Sequence, residues 1–285
     1  MATRSPSRQK FARTKEEEPV PIRRSPGHEG RESSGATDKI HGLIPVLEAL
    51  RSGNRQIDQI AIAEGARHER LRELLELAKK ARVPVHRVPR IDLDRAGGRT
   101  HQGVIARTAA VRYRTTDELL DLLAAKVDSA EPPLALGLDG VEDPRNLGAI
   151  IRTAECAGVD AVFVPERRAV GLTDTVAKAA AGALEYVPVA RATNLVRLIE
   201  QLKERKIWVV GADVAGKQDY TDWDWTVPSA IFLGSEGSGL HRLVRERCDA
   251  VVRIPVVGRI DSLNVSVAAG ILLYEARRQR TKPNK

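Results

Sequence analysis

The apolar positions change rhythm several times along this chain, and each change marks an element. From His41 to Leu50 they recur every three or four residues (Leu43, Val46, Leu47, Leu50), which predicts a helix stopped by Ser52-Gly53. Residues Ile57 to Ala63 alternate apolar and polar side chains, the period of a half-buried strand. A second amphipathic helix is predicted over 69–81, then a strand over 83–88 whose Pro84 places it near a sheet edge, then a strand over 103–111. Together these make a small α/β domain.

Residues 113–133 read as a linker with a short helix (117–127), ending in Glu131-Pro132-Pro133. Beyond it, short continuous apolar runs at 134–138, 161–164, 186–189, 207–210, 230–233 and 251–255 alternate with helical stretches. Strands that are apolar at every position are buried on both faces, so the fold class expected is α/β, with a parallel sheet covered by helices. A long helix from Leu263 to about Arg280, N-capped by Ser262, closes the pattern. Residues 1–38 are different: rich in Arg, Ser, Pro, Gly and Glu, they hold too little apolar surface to offset their ordering entropy. The expected division is a disordered arm over 1–38, a small domain over 39–110, a linker over 111–132 and a large domain over 133–285.

Composition refines this picture. Only 4% of the 285 residues are aromatic, so the core is expected to rest on Ala, Val, Leu and Ile. Cys156 and Cys248 stand alone, without the paired spacing of a zinc site, and read as reduced, partly buried thiols of a cytoplasmic protein that binds no metal. No apolar run approaches the ~18 residues of a membrane span. The net charge of +8 is concentrated in residues 39–110, which hold 14 Lys and Arg against 8 Asp and Glu. That excess implies a polyanionic partner, RNA or DNA. The first fifteen residues hold five basic side chains and no acid, which suits an organelle transit peptide or, as readily, an RNA-touching arm.

Three constellations carry chemistry. Asp143-Pro144-Arg145-Asn146-Leu147-Gly148 starts a helix that continues to Arg152 and Glu155. It can be an anion site at a helix start with an Arg aimed at it, or a capped helix with a surface ion pair. Ile231-Phe232-Leu233-Gly234-Ser235-Glu236-Gly237-Ser238-Gly239 runs an apolar strand into a loop with three glycines and one carboxylate. Loops at the carboxyl ends of parallel strands are where such sheets bind ligands, and a plain turn does not explain the Glu. The loop matches neither the dinucleotide fingerprint nor a phosphate loop. Ile254-Pro255-Val256 leads to Asp261-Ser262-Leu263-Asn264-Val265-Ser266, where Asn264 and Ser266 interrupt an apolar helical turn. They either satisfy local backbone or face a ligand.

In this order, the three segments resemble the SpoU (TrmH) family of the SPOUT superfamily of RNA methyltransferases, over 134–280. Ile40-His41-Gly42, Leu47-Glu48-Ala49-Leu50 and His101-Gln102-Gly103-Val104 are similar to the substrate-binding domain of the RlmB branch, which methylates a guanosine ribose of 23S rRNA. The resemblance implies a trefoil knot in the large domain, a homodimer with the active site near the subunit interface, and S-adenosylmethionine as cofactor. It implies cofactor contacts at Leu233, Gly234, Ile254 and Leu263, with Val210 and Gly211 lining the pocket. It assigns Arg152 to activating the ribose 2′-hydroxyl, with Asn146, Glu236, Asn264 and Ser266 around it. A guanidinium holds its proton above pH ~12, so Arg152 is expected to anchor a phosphate and lower the hydroxyl's pKa by its charge. The expected reaction is 2′-O-methylation of 23S rRNA; tRNA as target, or a non-catalytic RNA-binding assembly factor, are the alternatives.

Overall fold

The computed structural model describes residues 37–97 and 101–281. In the small domain the elements are β1 (Thr37–His41), α1 (Leu43–Ser52), β2 (Ile57–Ala63), α2 (Leu71–Lys80), β3 (Val85–Val88), α3 (Arg90–Gly97) and β4 (Val104–Ala109). The strands lie in the order β1-β4-β2-β3, with β4 antiparallel to both neighbours and β2 parallel to β3. Val104 and Ala106 of β4 pack with α1 and α2, while Ile105 between them packs with Leu93 of α3 on the other face. Two elements have no counterpart in the apolar pattern. Helix α3 buries only Leu93 and leaves Ile91 exposed, so no period could form. Strand β1 owes its shape to its pairing with β4, and it begins at Thr37, two residues inside the stretch read as a disordered arm. Residues 1–36 of that arm lie outside the described residues.

The segment read as a linker holds α4 (Thr116–Ala124), closed at its start by a capping box between Thr115 and Glu118. Its Leu119, Leu120 and Leu123 are buried in the core of the large sheet, so this helix is part of that domain's packing. The large domain follows as β5 (Leu134–Asp139), α5 (Pro144–Cys156), β6 (Ala161–Pro165), α6 (Asp174–Ala180), a 3-10 turn (Ala183–Glu185), β7 (Val189–Ala192) and α7 (Leu195–Glu204). Then come β8 (Trp208–Ala212), β9 (Gln218–Asp219), β10 (Ser229–Gly234), α8 (Arg242–Arg247), β11 (Ala250–Arg253) and α9 (Val265–Arg280). The seven strands are parallel, in the order β7-β6-β5-β10-β8-β11-β9. The apolar run at 186–189 is not a strand until its last residue. Pro188 has no N–H to give a ladder, and only its carbonyl is used, by Val162 N–H.

Both faces of this sheet are buried, which accounts for the unbroken apolar runs. Leu134, Leu136 and Leu138 of β5 face the core under α5 and α9, whereas Ala135 faces the one under α4 and α7. The core is not wholly aliphatic: Trp225, Phe163 and Phe232 are among its largest fully buried side chains. Gly137 makes room for Phe232, whose ring would lie 2.4 Å from a Cβ at that position. Gly148 does the same for helix packing, since a Cβ there would meet Ala179 Cβ at 2.4 Å and the Val176 carbonyl at 2.7 Å. The chain therefore needs glycine in Asn146-Leu147-Gly148 to seat α5 against α6.

The small domain meets the large one through buried polar contacts. Arg55 and Glu185 pair at 3.1 Å with both side chains almost fully buried, and Asn54 Nδ2 donates to the Glu185 carbonyl at 2.8 Å. Burial pushes the Glu185 carboxyl above its ordinary pKa, and the charge of Arg55 opposes that shift. At the other end of the interface, His41 is buried 4.0 Å from Asp174 of α6, with no partner for Nδ1. Burial, then the charges of Lys178 and Lys39, lower its pKa to about 4.

This gives a pH dependence with a definite sign. The unfolded imidazole binds a proton near pH 6.5 and the folded one does not, so folding loses stability as the pH falls from that range toward 4. Urea unfolding at pH 7 and pH 5 should show His41 costing the wild type about 2 kcal/mol at the lower pH. His41→Asn should remove that component; an unchanged pH slope in the variant would refute the assignment.

Candidate active site

The ends of β5 and β10, adjacent in the middle of the sheet, set the site. After β5 the chain turns through Gly140, and Asp143 caps α5 by accepting from Arg145 N–H at 2.7 Å, with Pro144 in the first turn. This is the helix start expected from the sequence. It buries Asn146 (9% exposed) at the end of the sheet. After β10 the loop folds back on itself, and Ser235 and Gly239 exchange two backbone hydrogen bonds, each of 3.1 Å. Gly234 has to be glycine, because a Cβ there would lie 1.9 Å from the Gly239 carbonyl carbon. The turn holds Glu236 out over α5.

Here three of the sequence-derived site residues come together. Glu236 Oε1 accepts from Asn146 Nδ2 at 2.9 Å and from Asn264 Nδ2 at 2.5 Å. Asn264 Nδ2 also reaches Asn146 Oδ1 at 3.1 Å. Asn264, not Ser262, is the N-cap of α9: its Oδ1 accepts from Ser266 N–H at 2.9 Å and Val267 N–H at 3.4 Å. One amide side chain thus starts a helix with its oxygen and binds Glu236 with its nitrogen. Ser266 Oγ donates to the same oxygen at 2.5 Å, so Ser266 acts through Asn264. The choice between local backbone and a facing ligand, left open by the sequence, is no choice for Asn264, which has a group for each.

Arg152 does not join this cluster within the chain. Six residues beyond Asn146, it lies roughly 9 Å further along the helix axis, on an exposed stripe with Arg145 and Cys156. Among the described residues it makes no ion pair, so the surface pair with Glu155 is not formed. Cys156 is exposed rather than partly buried, and its thiol pKa is raised by what burial it has and by Glu155. Burial pushes the Cys248 thiol up to about 12, which makes it inert.

The candidate cofactor residues fall into two groups. Val210 and Leu233 are fully buried in the core and Gly211 is backed by Leu240 and Cys248, so none of the three presents a side chain to a ligand, and their backbone lies in the ladders of β8 and β10. Leu263 is 39% exposed and Ile254 half-buried, in a segment that also exposes Val256, Val257 and Ile260. Among the described residues, the apolar side chains of that segment stay open to solvent. Sequence reasoning missed Asp139 and His241. Asp139, buried at the end of β5, accepts from His241 N–H at 2.8 Å and from His241 Nδ1 at 2.9 Å. The one signal was an Asp ending an otherwise apolar strand. Among the described residues no three His, Cys, Asp or Glu side chains are grouped to hold a metal, and no helix is long and apolar enough to cross a membrane.

The chain is similar over most of its length to known proteins. Residues 133–274 match the SpoU rRNA Methylase family, and residues 39–114 match the family described as RNA 2'-O ribose methyltransferase substrate binding. A putative TrmH family tRNA/rRNA methyltransferase of Bacillus subtilis (strain 168), YacO, is 46% identical over 243 residues, 85% of this chain and 96% of the relative. The AdoMet-bound rRNA methyltransferase of Sinorhizobium meliloti superposes with a TM-score of 0.70 at 28% identity, over 85% of this chain and 87% of that one. The SpoU methyltransferase AviRb of Streptomyces viridochromogenes, in complex with AdoMet, gives 0.70 at 26% identity, over 86% and 90%. The chain belongs to the SpoU (TrmH) family of RNA 2′-O-ribose methyltransferases.

The double duty of Asn264 can be measured. Asn264→Ala removes the cap of α9 and should cost about 1 kcal/mol in urea unfolding. Ser266→Ala leaves the cap in place and should cost less than half as much.

Proposed function

We propose that this enzyme methylates the 2′-oxygen of a guanosine ribose in 23S rRNA, and that it does so as a homodimer. The coarser activity is that of its family: transfer of a methyl group to a ribose 2′-oxygen of RNA. S-adenosylmethionine is the cofactor, and it supplies an electrophilic methyl on a sulfonium that departs as a neutral thioether. The observation that carries the reading is the Asn146–Glu236–Asn264 cluster at the carboxyl ends of two central parallel strands. The basic small domain supports an RNA target, and its likeness to the RlmB branch supports a guanosine of 23S rRNA.

The residues present fit the cofactor. Gly234 lacks the side chain that would close the loop, and the exposed Val256, Val257, Ile260 and Leu263 give a flat purine the apolar surface it needs. Val210, Gly211 and Leu233 would line the pocket from the sheet, and Ile254 and Leu263 would contact the cofactor mostly through their backbone. On the RNA side, Asn146 positions the target ribose, Glu236 orients the loop and the RNA, and Asn264 and Ser266 line the same site.

Arg152 anchors the flanking phosphate and favours loss of the hydroxyl proton by its charge. Its distance from the cluster in its own chain supports its delivery by the second subunit. The exposed faces of α5 and α9 support that dimer: Val267, Ile271 and Tyr274 form an apolar stripe on α9 at three- and four-residue spacing. The knot is part of the same reading. From β11, two strands away from β10, the chain returns over the sheet ends to set Asn264 on Asn146 and Glu236.

The test is methyl transfer from labelled S-adenosylmethionine to unmodified 23S rRNA, with tRNA in parallel, the product mapped by resistance to alkaline cleavage. One protected guanosine linkage in 23S rRNA is expected; label on tRNA alone would overturn the target. Arg152→Ala should lower turnover by about 100-fold or more and leave cofactor affinity, measured by calorimetry, within about 3-fold. Near-normal turnover in that variant would overturn the role given to Arg152.

A further inference from the structure

The reaction needs a destination for the proton of the ribose hydroxyl, and the residues described so far do not provide one. Arg152 cannot take it, because a guanidinium is already protonated at any physiological pH. Glu236 has Oε1 committed to two amide donors, and a carboxylate is a weaker base than an imidazole by roughly two pK units.

We propose that His241, oriented by Asp139, accepts the proton of the ribose 2′-hydroxyl. The inference rests on the 2′-O-methyltransferase reading and adds a residue to it. A carboxylate only accepts hydrogen bonds, so the 2.9 Å contact with Asp139 Oδ1 puts the imidazole proton on Nδ1 and leaves the lone pair on Nε2. Asp139 is itself fixed, with a side chain 7% exposed and its second oxygen held by His241 N–H at 2.8 Å. The imidazole therefore has one orientation, while half of its surface stays open (51% exposed). Among the described residues Nε2 has no partner.

The ring lines a cavity of about 370 Å³ together with Asn146, Glu236, Gly140 and Val265, so it opens on the space that the Asn146–Glu236–Asn264 cluster borders. Gly140 brings the backbone close beside it; a Cβ there would lie 3.8 Å from His241 Cε1. The charged groups around that space are Asp139 from β5, Glu142 and Asp143 ahead of α5, Arg168 after β6, and Glu236 after β10. Arg242, next in the chain, is occupied by Glu246 at 2.8 Å.

The step balances. The O–H bond breaks and its proton goes to Nε2, the oxygen pair forms the bond to the methyl carbon, and the pair of the broken S–CH₃ bond stays on sulfur. The positive charge lost by the sulfonium appears on the imidazolium, which returns the proton to solvent.

Three readouts on the full-length protein test this. Nitrogen NMR of the free protein should show the neutral His241 ring protonated on Nδ1 and bare on Nε2; the opposite tautomer would overturn the proposal. His241→Asn should lose about 100-fold in kcat, with KM for RNA and Kd for the cofactor unchanged. His241→Ala should recover activity in added imidazole. A kcat loss under tenfold, or no recovery of His241→Ala in imidazole, sinks the role of His241 while wild-type transfer leaves the parent reading standing. No transfer to any RNA by the wild type would overturn both.

Discussion

Glu236 accepts hydrogen bonds from two side-chain amides that lie 118 residues apart in the chain, Asn146 and Asn264. That carboxylate joins the start of α5, the loop after β10 and the start of α9 at a single point. Each partner is held from behind by an ordinary local device: Asp143 and Pro144 for Asn146, the double Ser235–Gly239 bond for Glu236, the helix cap for Asn264. The polar side chains that would do chemistry are the same ones that fix the geometry, so the site is rigid before any ligand arrives.

The sheet below supplies the constraint that makes this possible. The adjacent strands β5 and β10, buried along their whole length, leave only their ends for a site, and they end on Asp139 and Gly234. Glycines sit where the sheet and helices must approach most closely. Gly137 admits the Phe232 ring, Gly148 admits α6, and Gly234 admits its own loop. Asn146-Leu147-Gly148 thus combines a site residue, a core residue and a packing glycine in three positions.

The small domain brings charge and orientation to this frame. Its excess of basic side chains suits a phosphate backbone, and the Arg55–Glu185 pair, with the buried His41 beside α6, ties it to the large domain. An ion pair excluded from water is costly to separate, so the two domains of this chain meet in one arrangement.

The sequence by itself determined the α/β class, the parallel sheet and the capped start of α5, and it singled out Asn146, Glu236 and Asn264 as polar groups at helix starts and in a glycine loop. These follow from local rules: apolar period, cap chemistry and the turns that glycine allows. It misplaced the cap of α9 at Ser262 and began β7 at Tyr186, and it gave no sign of β1 or α3, whose form depends on distant partners. Only the tertiary structure decided that Asn146, Glu236 and Asn264 meet while Arg152 stands apart, and that Asp139 holds His241 across 102 residues. Hydrogen bonds between residues so far apart leave no periodic trace in the chain, because their geometry is set by the order in which the strands assemble and not by the order of the sequence.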